Sequence, residues 1–271
     1  MRTVDTHLQD RNPISEPHPA LSTPTKMAHI VTPFPSAHRV FRNHNNGVTV
    51  VAVFPNGGRM VTSLDETLYL WDLKDGVILK KMEGHSGRVR GVAVSGNSRL
   101  IASIDNEEEL IAWDGNTGES LTRAIKAHSL DITSLDFSPD NAVLATVSWD
   151  QTIKLWRTDT WQIHGNPINL GEFIFDVRYS PSGHLLAIVT CQYIEIWSSS
   201  ELECIAKFTG LSFTWTPDGT RLFSGSRDYS DPTIREWNTS TWEQVGDPSS
   251  QKLLKSAITR YSVLGATAHD R

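Results

Sequence analysis

Histidine, hydroxyl and aspartate residues stand in an order that could support proton-relayed nucleophilic chemistry: His128, Ser148 (or Thr146) and Asp150, and again His44, Ser63 and Asp65. A serine or threonine activated by a histidine that an aspartate orients is the constellation of acyl-transfer enzymes. An active site occurs once, whereas this set recurs along the chain. A structural role for the histidines is therefore the better reading, and no GxSxG, HExxH, phosphate-loop or GxGxxG motif offers other catalytic chemistry. The expectation is a protein that is not an enzyme and needs no cofactor.

Other chemically capable residues lead to equally plain readings. Glu107, Glu108 and Glu109 could bind a cation, but adjacent residues at a strand end point to opposite faces, so a solvated turn is expected. Lys80, Lys81, Arg88 and Arg90 form the one basic cluster and are a candidate rim for an acidic protein partner, against the plainer reading of an ordinary charged surface. Cys191 and Cys204 lie outside any CxxC or Cys/His cluster, so no zinc site or disulfide framework is written here. Two reduced thiols suit the cytoplasm, or else the nucleus. The formal net charge of -6 gives no global attraction to nucleic acid or anionic lipid. The longest apolar-rich run, Val48 to Phe54, is far short of the roughly 20 residues of a membrane span.

The elements that position these groups show themselves as a repeat. Trp71, Trp113, Trp156, Trp197 and Trp237 follow one another at intervals of 42, 43, 41 and 40 residues, which is the period of a propeller blade. A second ruler is a turn after an alternating apolar run: Phe54-Pro55-Asn56-Gly57, Ser95-Gly96-Asn97, Ser138-Pro139-Asp140-Asn141, Ser180-Pro181-Ser182-Gly183 and Thr216-Pro217-Asp218-Gly219. Each marks a hairpin. The runs that follow, such as Leu144 to Ser148 and Thr152 to Trp156, alternate with the period of strands. The stretch after each Trp supplies a fourth strand, as in Val77 to Lys81.

Gly84-His85 followed by Trp113-Asp114 resembles the GH and WD dipeptides of the WD40 repeat family, with cruder matches at Asn43-His44 to Trp71-Asp72 and Ala127-His128 to Trp156-Arg157. The resemblance covers about 38–250, and Trp237 to Gly246, with its near-twin Trp156 to Gln162, looks like the expanded WD40-repeat proteins of fungi. It implies an all-β, WD40-type β-propeller with five recognisable four-stranded blades, at about 38–83, 84–126, 127–169, 170–210 and 211–250, plus fragments of a sixth. In this family a His, an Asp, a Ser or Thr and the Trp lock each blade by hydrogen bonds. Carried over by position, the network is His128, Ser148 (or Thr146), Asp150 and Trp156 in blade three, and His44, Ser63, Asp65 and Trp71 in blade one. Blade two keeps His85 and Trp113, with no assigned acid in Asp105 to Glu109. Blades four and five keep Trp197 and Trp237 without the histidine.

Outside the repeats, 1–36 is Pro-rich and reads as a flexible tail, and 251–271 is a divergent remnant. Arg39 to His44 resembles the end of a blade, which in WD40 rings closes the circle with the last one. Here the ring closes small, stays open, or belongs to a longer protein. Unpaired blade edges then invite self-association. The function implied is a non-catalytic scaffold that binds other proteins; the alternative is a regulatory sensor or substrate-recognition module of a larger signalling or ubiquitin-ligase assembly.

Overall fold

The computed structural model describes residues 47–226 and 233–246. Among them all regular structure is strand, and no helix is long and apolar enough to cross a membrane. The strands form five antiparallel sheets in chain order. Sheet one holds β1 (Val51–Val53), β2 (Arg59–Leu64), β3 (Thr67–Asp72) and β4 (Ile78–Met82). Sheet two holds β5 (Val89–Val94), β6 (Leu100–Asp105), β7 (Glu109–Asp114) and β8 (Ile125–Lys126). Sheet three holds β9 (Ile132–Phe137), β10 (Val143–Ser148), β11 (Thr152–Arg157) and β12 (Ile168–Asn169). Sheet four holds β13 (Ile174–Tyr179), β14 (Leu185–Thr190), β15 (Tyr193–Ser198) and β16 (Cys204–Thr209), and sheet five holds β17 (Ser212–Trp215), β18 (Arg221–Gly225) and β19 (Ile234–Asn238).

Four of the sheets are the four-stranded blades expected. The fifth has three strands among the described residues, and its bridge between Trp237 and Gln244 repeats those of Trp113 with Ser120 and Trp156 with Ile163; 247–250, where a fourth strand would follow, lie outside the described residues. The turn 228–232 and the segments 1–46 and 251–271 lie outside the described residues, and with them the proposed closing strand and remnant.

The burial pattern explains why the middle strands lack clean alternation. In β10 five consecutive residues, Leu144 to Ser148, are buried, because a neighbouring sheet covers each face. The outermost strand β16 alternates between exposed and half-buried, as a strand with one wet side should. Four apolar clusters sit between successive sheets. Phe54, Leu70, Ile101 and Trp113 join sheets one and two; Ile104, Leu110, Phe137 and Trp156 join two and three. Val147, Ile153, Ile174 and Ile188 join three and four, and Val189, Ile194 and Leu222 join four and five. Burial of this apolar surface, at roughly 25 cal/mol per Å², is what stacks the sheets.

The first strands of the sheets run side by side, with contacts in the series β1, β5, β9 and β13. Their close approach requires Gly91. A Cβ there would stand 2.9 Å from both Ile104 Cδ1 and Leu135 Cδ2, and the β5–β6 register shifts at this point. The turn after each Trp also repeats: the residue five positions on has positive φ, as Gly76, Gly118, Trp161 (56°), Leu202 (56°) and Trp242 (57°). Glycine takes that conformation freely, whereas the side chains at the other three positions must be held by packing. Trp161 and Trp242 are so held, in the clusters between sheets two and three and between sheets four and five. This is what the near-twin segments have in common.

Gly91→Val should overfill the contact between sheets two and three and lower stability by about 1–3 kcal/mol. A urea midpoint equal to that of the unsubstituted protein would show that the inner strands are not so tightly apposed.

Candidate functional site

From the second sheet on, the Trp of each third strand packs against the preceding sheet, and its indole N–H, like that of Trp71, needs an acceptor. Strand register supplies one. Trp113 pairs with Ile101, and two residues further on the same face stands Ser103, whose Oγ accepts from Trp113 Nε1 at 2.8 Å. Trp156 pairs with Leu144 and donates to Thr146 Oγ1 at 2.9 Å. Trp71 pairs with Met60 and donates to Thr62 Oγ1 at 2.9 Å, and Trp237 pairs with Leu222 and donates to Ser224 Oγ at 2.8 Å.

Two of the expected hydroxyls are therefore corrected. In blade three the bridge is Thr146, the alternative considered; Ser148 Oγ instead donates to Leu130 O and accepts from Asp150 N. In blade one it is Thr62. Ser63 has the opposite facing, and its Oγ accepts from Val50 N and shares a hydrogen bond with Thr49 Oγ1. Counting back from the turn aspartate picks the wrong hydroxyl, while counting along the face from the partner of Trp picks the right one.

Beyond the hydroxyl the chain of bonds continues in two blades. In blade three His128 Nε2 lies 2.8 Å from Thr146 Oγ1 and Nδ1 lies 3.0 Å from Asp150 Oδ2. Asp150 Oδ1 accepts from Thr152 N and Oγ1, and Oδ2 from Ser129 N. In blade two His85 Nε2 lies 2.6 Å from Ser103 Oγ and Nδ1 lies 3.0 Å from Asp105 Oδ2, which settles which acid reaches that histidine. Asp105 Oδ1 accepts from Glu107 N and Glu109 N. The tautomer that satisfies every atom puts the proton on Nδ1, so that the series runs from indole N–H to hydroxyl, from hydroxyl to Nε2, and from Nδ1–H to carboxylate. Blade one has Trp71, Thr62 and Asp65 among the described residues; His44 lies outside them.

Blade four has Ile188 at the position of the bridging hydroxyl. Trp197 Nε1 donates instead to Glu195 Oε2 at 3.0 Å, and Lys207 Nζ reaches Glu195 Oε1 at 2.7 Å while lying over the Tyr193 ring. A Trp–Glu–Lys series, which no pattern of GH and WD dipeptides could signal, takes the place of the Trp–hydroxyl–His–Asp one.

The electrostatics follow from burial. Desolvation dominates at His128 and, despite Asp150, lowers its pKa to about 4. Burial alone would raise Asp150, but the hydrogen bonds from Thr152, Ser129 and His128 outweigh it and hold the carboxyl at about 2. At Asp105 burial is likewise outweighed, by His85 and the N–H groups of Glu109 and Gly87, and the pKa is lowered.

Ser103, His85 and Asp105 have the distances of a catalytic triad, yet the side chains of His85 and Asp105 are 0% exposed and Ser103 is fully buried beneath Trp113. No substrate carbonyl can approach within the roughly 3 Å that attack needs. The same three-dimensional corner brings donor atoms of His85, Asp105 and Glu109 within 4.8 Å of one another. Both ring nitrogens and the carboxylate of that trio are engaged in the Trp113 series, so a cation there would have to break it. Glu108 pairs with Lys126 and Glu109 accepts from Ser86 Oγ, which disperses the three adjacent carboxylates.

The basic residues are dispersed too. Lys80 and Lys81 lie on β4, the outer strand of sheet one, with Lys81 paired to Glu83. Arg88 precedes the inner strand β5 and faces Asp65 at 3.9 Å, while Arg90 is exposed on β5 itself. They do not make one rim. A surface that sequence reading missed is apolar: Leu130, Phe173 and Phe175 are 49%, 50% and 42% exposed. Leu130 precedes β9, and Phe173 and Phe175 stand at the start of β13, where Thr133 Oγ1 of β9 donates to the C=O of Ile174.

Thr146→Val removes the acceptor of Trp156 and the donor to His128 at once. It should cost about 1–3 kcal/mol, as should Asp150→Ala, and the double substitution should cost less than the sum. Full additivity in urea unfolding would show that the two side chains do not act in one series. The pH dependence has a definite sign. The unfolded chain binds a proton at His128 near its ordinary value of 6.5, and the folded one only at about 4. Stability from this group is complete above 6.5 and falls as pH drops towards 4, by up to about 1.4 kcal/mol per unit. Asp150 extends the loss from 3.8 down to about 2. His128→Gln should flatten the profile between 4 and 6.5; an unchanged slope would exclude His128 as its source.

The chain matches the family model "WD domain, G-beta repeat" at 36–72, 76–114, 119–157 and 202–238, together more than half its length. The matches leave out 158–201, the region of the blade that replaces the hydroxyl with Ile188. Among curated relatives it is 28% identical over 206 residues to the small ribosomal subunit protein RACK1y of Oryza sativa subsp. japonica, covering 75% of this chain and 51% of the relative. It is 27% identical over 172 residues to the transcriptional corepressor LEUNIG_HOMOLOG of Arabidopsis thaliana, covering 60% and 20%. With the guanine nucleotide-binding protein subunit beta of Arabidopsis thaliana it shares 33% identity over 129 residues, covering 44% and 34%. The chain thus spans about half or less of the length of these three relatives. Period, sheet order, the Trp-centred hydrogen bonds and the family match agree, and the chain belongs to the WD40 repeat family.

Proposed function

We propose that this chain is a non-catalytic scaffold that binds other proteins through the apolar patch of Leu130, Phe173 and Phe175. One observation carries the reading: three large apolar side chains stay exposed where the neighbouring strands β9 and β13 begin, while the groups with triad geometry are sealed inside the blades. Exposed aromatic side chains in a cluster are the usual anchors of protein interfaces. Adjacent sheets fix β9 and β13, so the patch needs little ordering on binding. Relatives whose names are those of a corepressor and a G-protein beta subunit support a role in assemblies. A chain whose two cysteines lie in no CxxC or Cys/His cluster supports a reducing compartment such as the cytoplasm. Self-association is a lesser part of the proposal, supported by the general tendency of unpaired strand edges to associate.

Phe173→Ser with Phe175→Ser leaves both networks intact and should keep the unfolding midpoint within about 0.5 kcal/mol of the unsubstituted protein. Affinity capture with quantitative mass spectrometry should then lose its specific partners, at least roughly tenfold for each. Recovery of the same set by both proteins would overturn the assignment of the patch. Light scattering on the same two samples reads self-association, and a monomer at tens of micromolar removes that part of the proposal.

A further inference from the structure

Three adjacent first strands each carry one extra residue. In β5 Val89 pairs with Asp105 and Gly91 with Ile104, so Arg90 has no partner on β6. In β9 Ile132 pairs with Ser148 and Ser134 with Val147, which leaves Thr133 out; in β13 Ile174 pairs with Thr190 and Asp176 with Val189, which leaves Phe175 out. Such a bulge re-aims the side chain of its extra residue. The three stand at one level of the stack, because the residues that follow them lie side by side: Ser134 Oγ donates to Asp176 Oδ1 at 2.6 Å, and a Cβ on Gly91 would touch Leu135. Thr133, in the middle, is tied down, with Oγ1 3.2 Å from the C=O of Val147 and 2.8 Å from that of Ile174. Its neighbours are not. Phe175 is 42% exposed, and Arg90 is exposed without a hydrogen bond or ion pair among the described residues.

Charge is distributed unevenly around the phenylalanines. Asp131 follows Leu130 and Glu172 precedes Phe173, both half-buried, so acids flank the apolar side chains on their own strands. Arg90 lies across Thr133 from them. Arg88, two residues before it, already faces Asp65 at 3.9 Å, and a single unpaired guanidinium is therefore presented at the start of β5. One guanidinium matches one carboxylate, whereas a phosphate dianion is met by a cluster of arginines.

We propose that the protein segment bound at Leu130, Phe173 and Phe175 carries an aspartate or glutamate that bonds to Arg90, about three residues along the segment from the apolar side chain that packs on Phe175. The inference rests on the patch proposed above and adds the chemistry of its partner. Stacked sheets lie roughly 10 Å apart, and two such steps, less the reach of the two side chains, leave on the order of 10 Å, or about three extended residues at roughly 3.3 Å each. Asp131 and Glu172 repel an acid placed next to the anchor, so spacing and sign are both set by residues of this chain.

Selection of random peptides of about twelve residues, displayed on phage, against the whole chain tests this, followed by anisotropy titration of the enriched sequences as synthetic peptides. Enriched sequences should carry Asp or Glu about two to four residues from a Leu, Phe or Trp, and changing that acid to its amide should weaken binding roughly tenfold. Arg90→Gln should weaken the acidic peptide to the level of the amide peptide and leave the amide peptide unchanged, Arg90→Lys should keep most of the preference, and Arg90→Glu should enrich Lys or Arg at the same place. Arg90 is exposed on a bulge, so these substitutions leave the blades folded. Phe173→Ser with Phe175→Ser reads the patch separately. Loss of both peptides in that variant, with equal affinity for the two on the unsubstituted protein, would overturn the role of Arg90 and keep the patch; binding indifferent to the phenylalanines would overturn the patch itself. No enriched sequence, a basic residue at the expected place, or an Arg90→Gln protein that still prefers the acid would each overturn the proposal.

Discussion

The indole N–H of the tryptophan on each third strand is the constraint around which the blades are arranged. A tryptophan is large enough to fill the space between two sheets, and in filling it carries a polar N–H out of water. Left unpaired, that N–H would cost about 1–3 kcal/mol per blade, a large fraction of the stability of any domain. Four blades solve this with a hydroxyl two residues along the strand face from the partner of Trp: Thr62, Ser103, Thr146 and Ser224. The fourth has Ile188 there and takes the side chain of Glu195 instead. The chemistry changes while the requirement does not, and a blade can therefore drift far from its family pattern and keep its fold.

The histidines and aspartates are consequences of the same constraint. A hydroxyl that accepts from the indole still has a proton to give, and the histidine takes it; its own N–H then needs the aspartate, and the aspartate draws N–H groups from the turns. Each series ties the loop before a first strand to the turn between the second and third, as Ser129 and Thr152 both converge on Asp150. Burial that makes the series stable also makes it inert: a serine sealed beneath a tryptophan is no nucleophile, whatever its distance from a histidine.

Stacked sheets cover both faces of the middle strands, so what can be recognised from outside lies at the ends of the inner strands. One end of β9 and β13 is apolar, with Leu130, Phe173 and Phe175. The other is charged, with Asp136 and Arg178. Both surfaces sit on or next to strands fixed by neighbouring sheets, and binding there forfeits little entropy.

The blade count, the strand character and the hairpin turns were legible in the sequence, because each is local: Trp spacing, period-two alternation and Pro/Gly/Asp turns all lie within one repeat. The candidate site was legible only in part. His85, His128, Asp150 and the tryptophans stand where the family pattern puts them, but Ser63 and Ser148 were the wrong hydroxyls, since only the register of β2 against β3 and β10 against β11 decides which side chain shares a face with Trp. That Asp105 and not Glu107, Glu108 or Glu109 reaches His85 depends on how the turn folds its carboxylates outward. The Glu195 substitute and the scattering of Lys80, Lys81, Arg88 and Arg90 both join residues from different strands or sheets. Those relations are set by packing between repeats, and no spacing within one repeat encodes them.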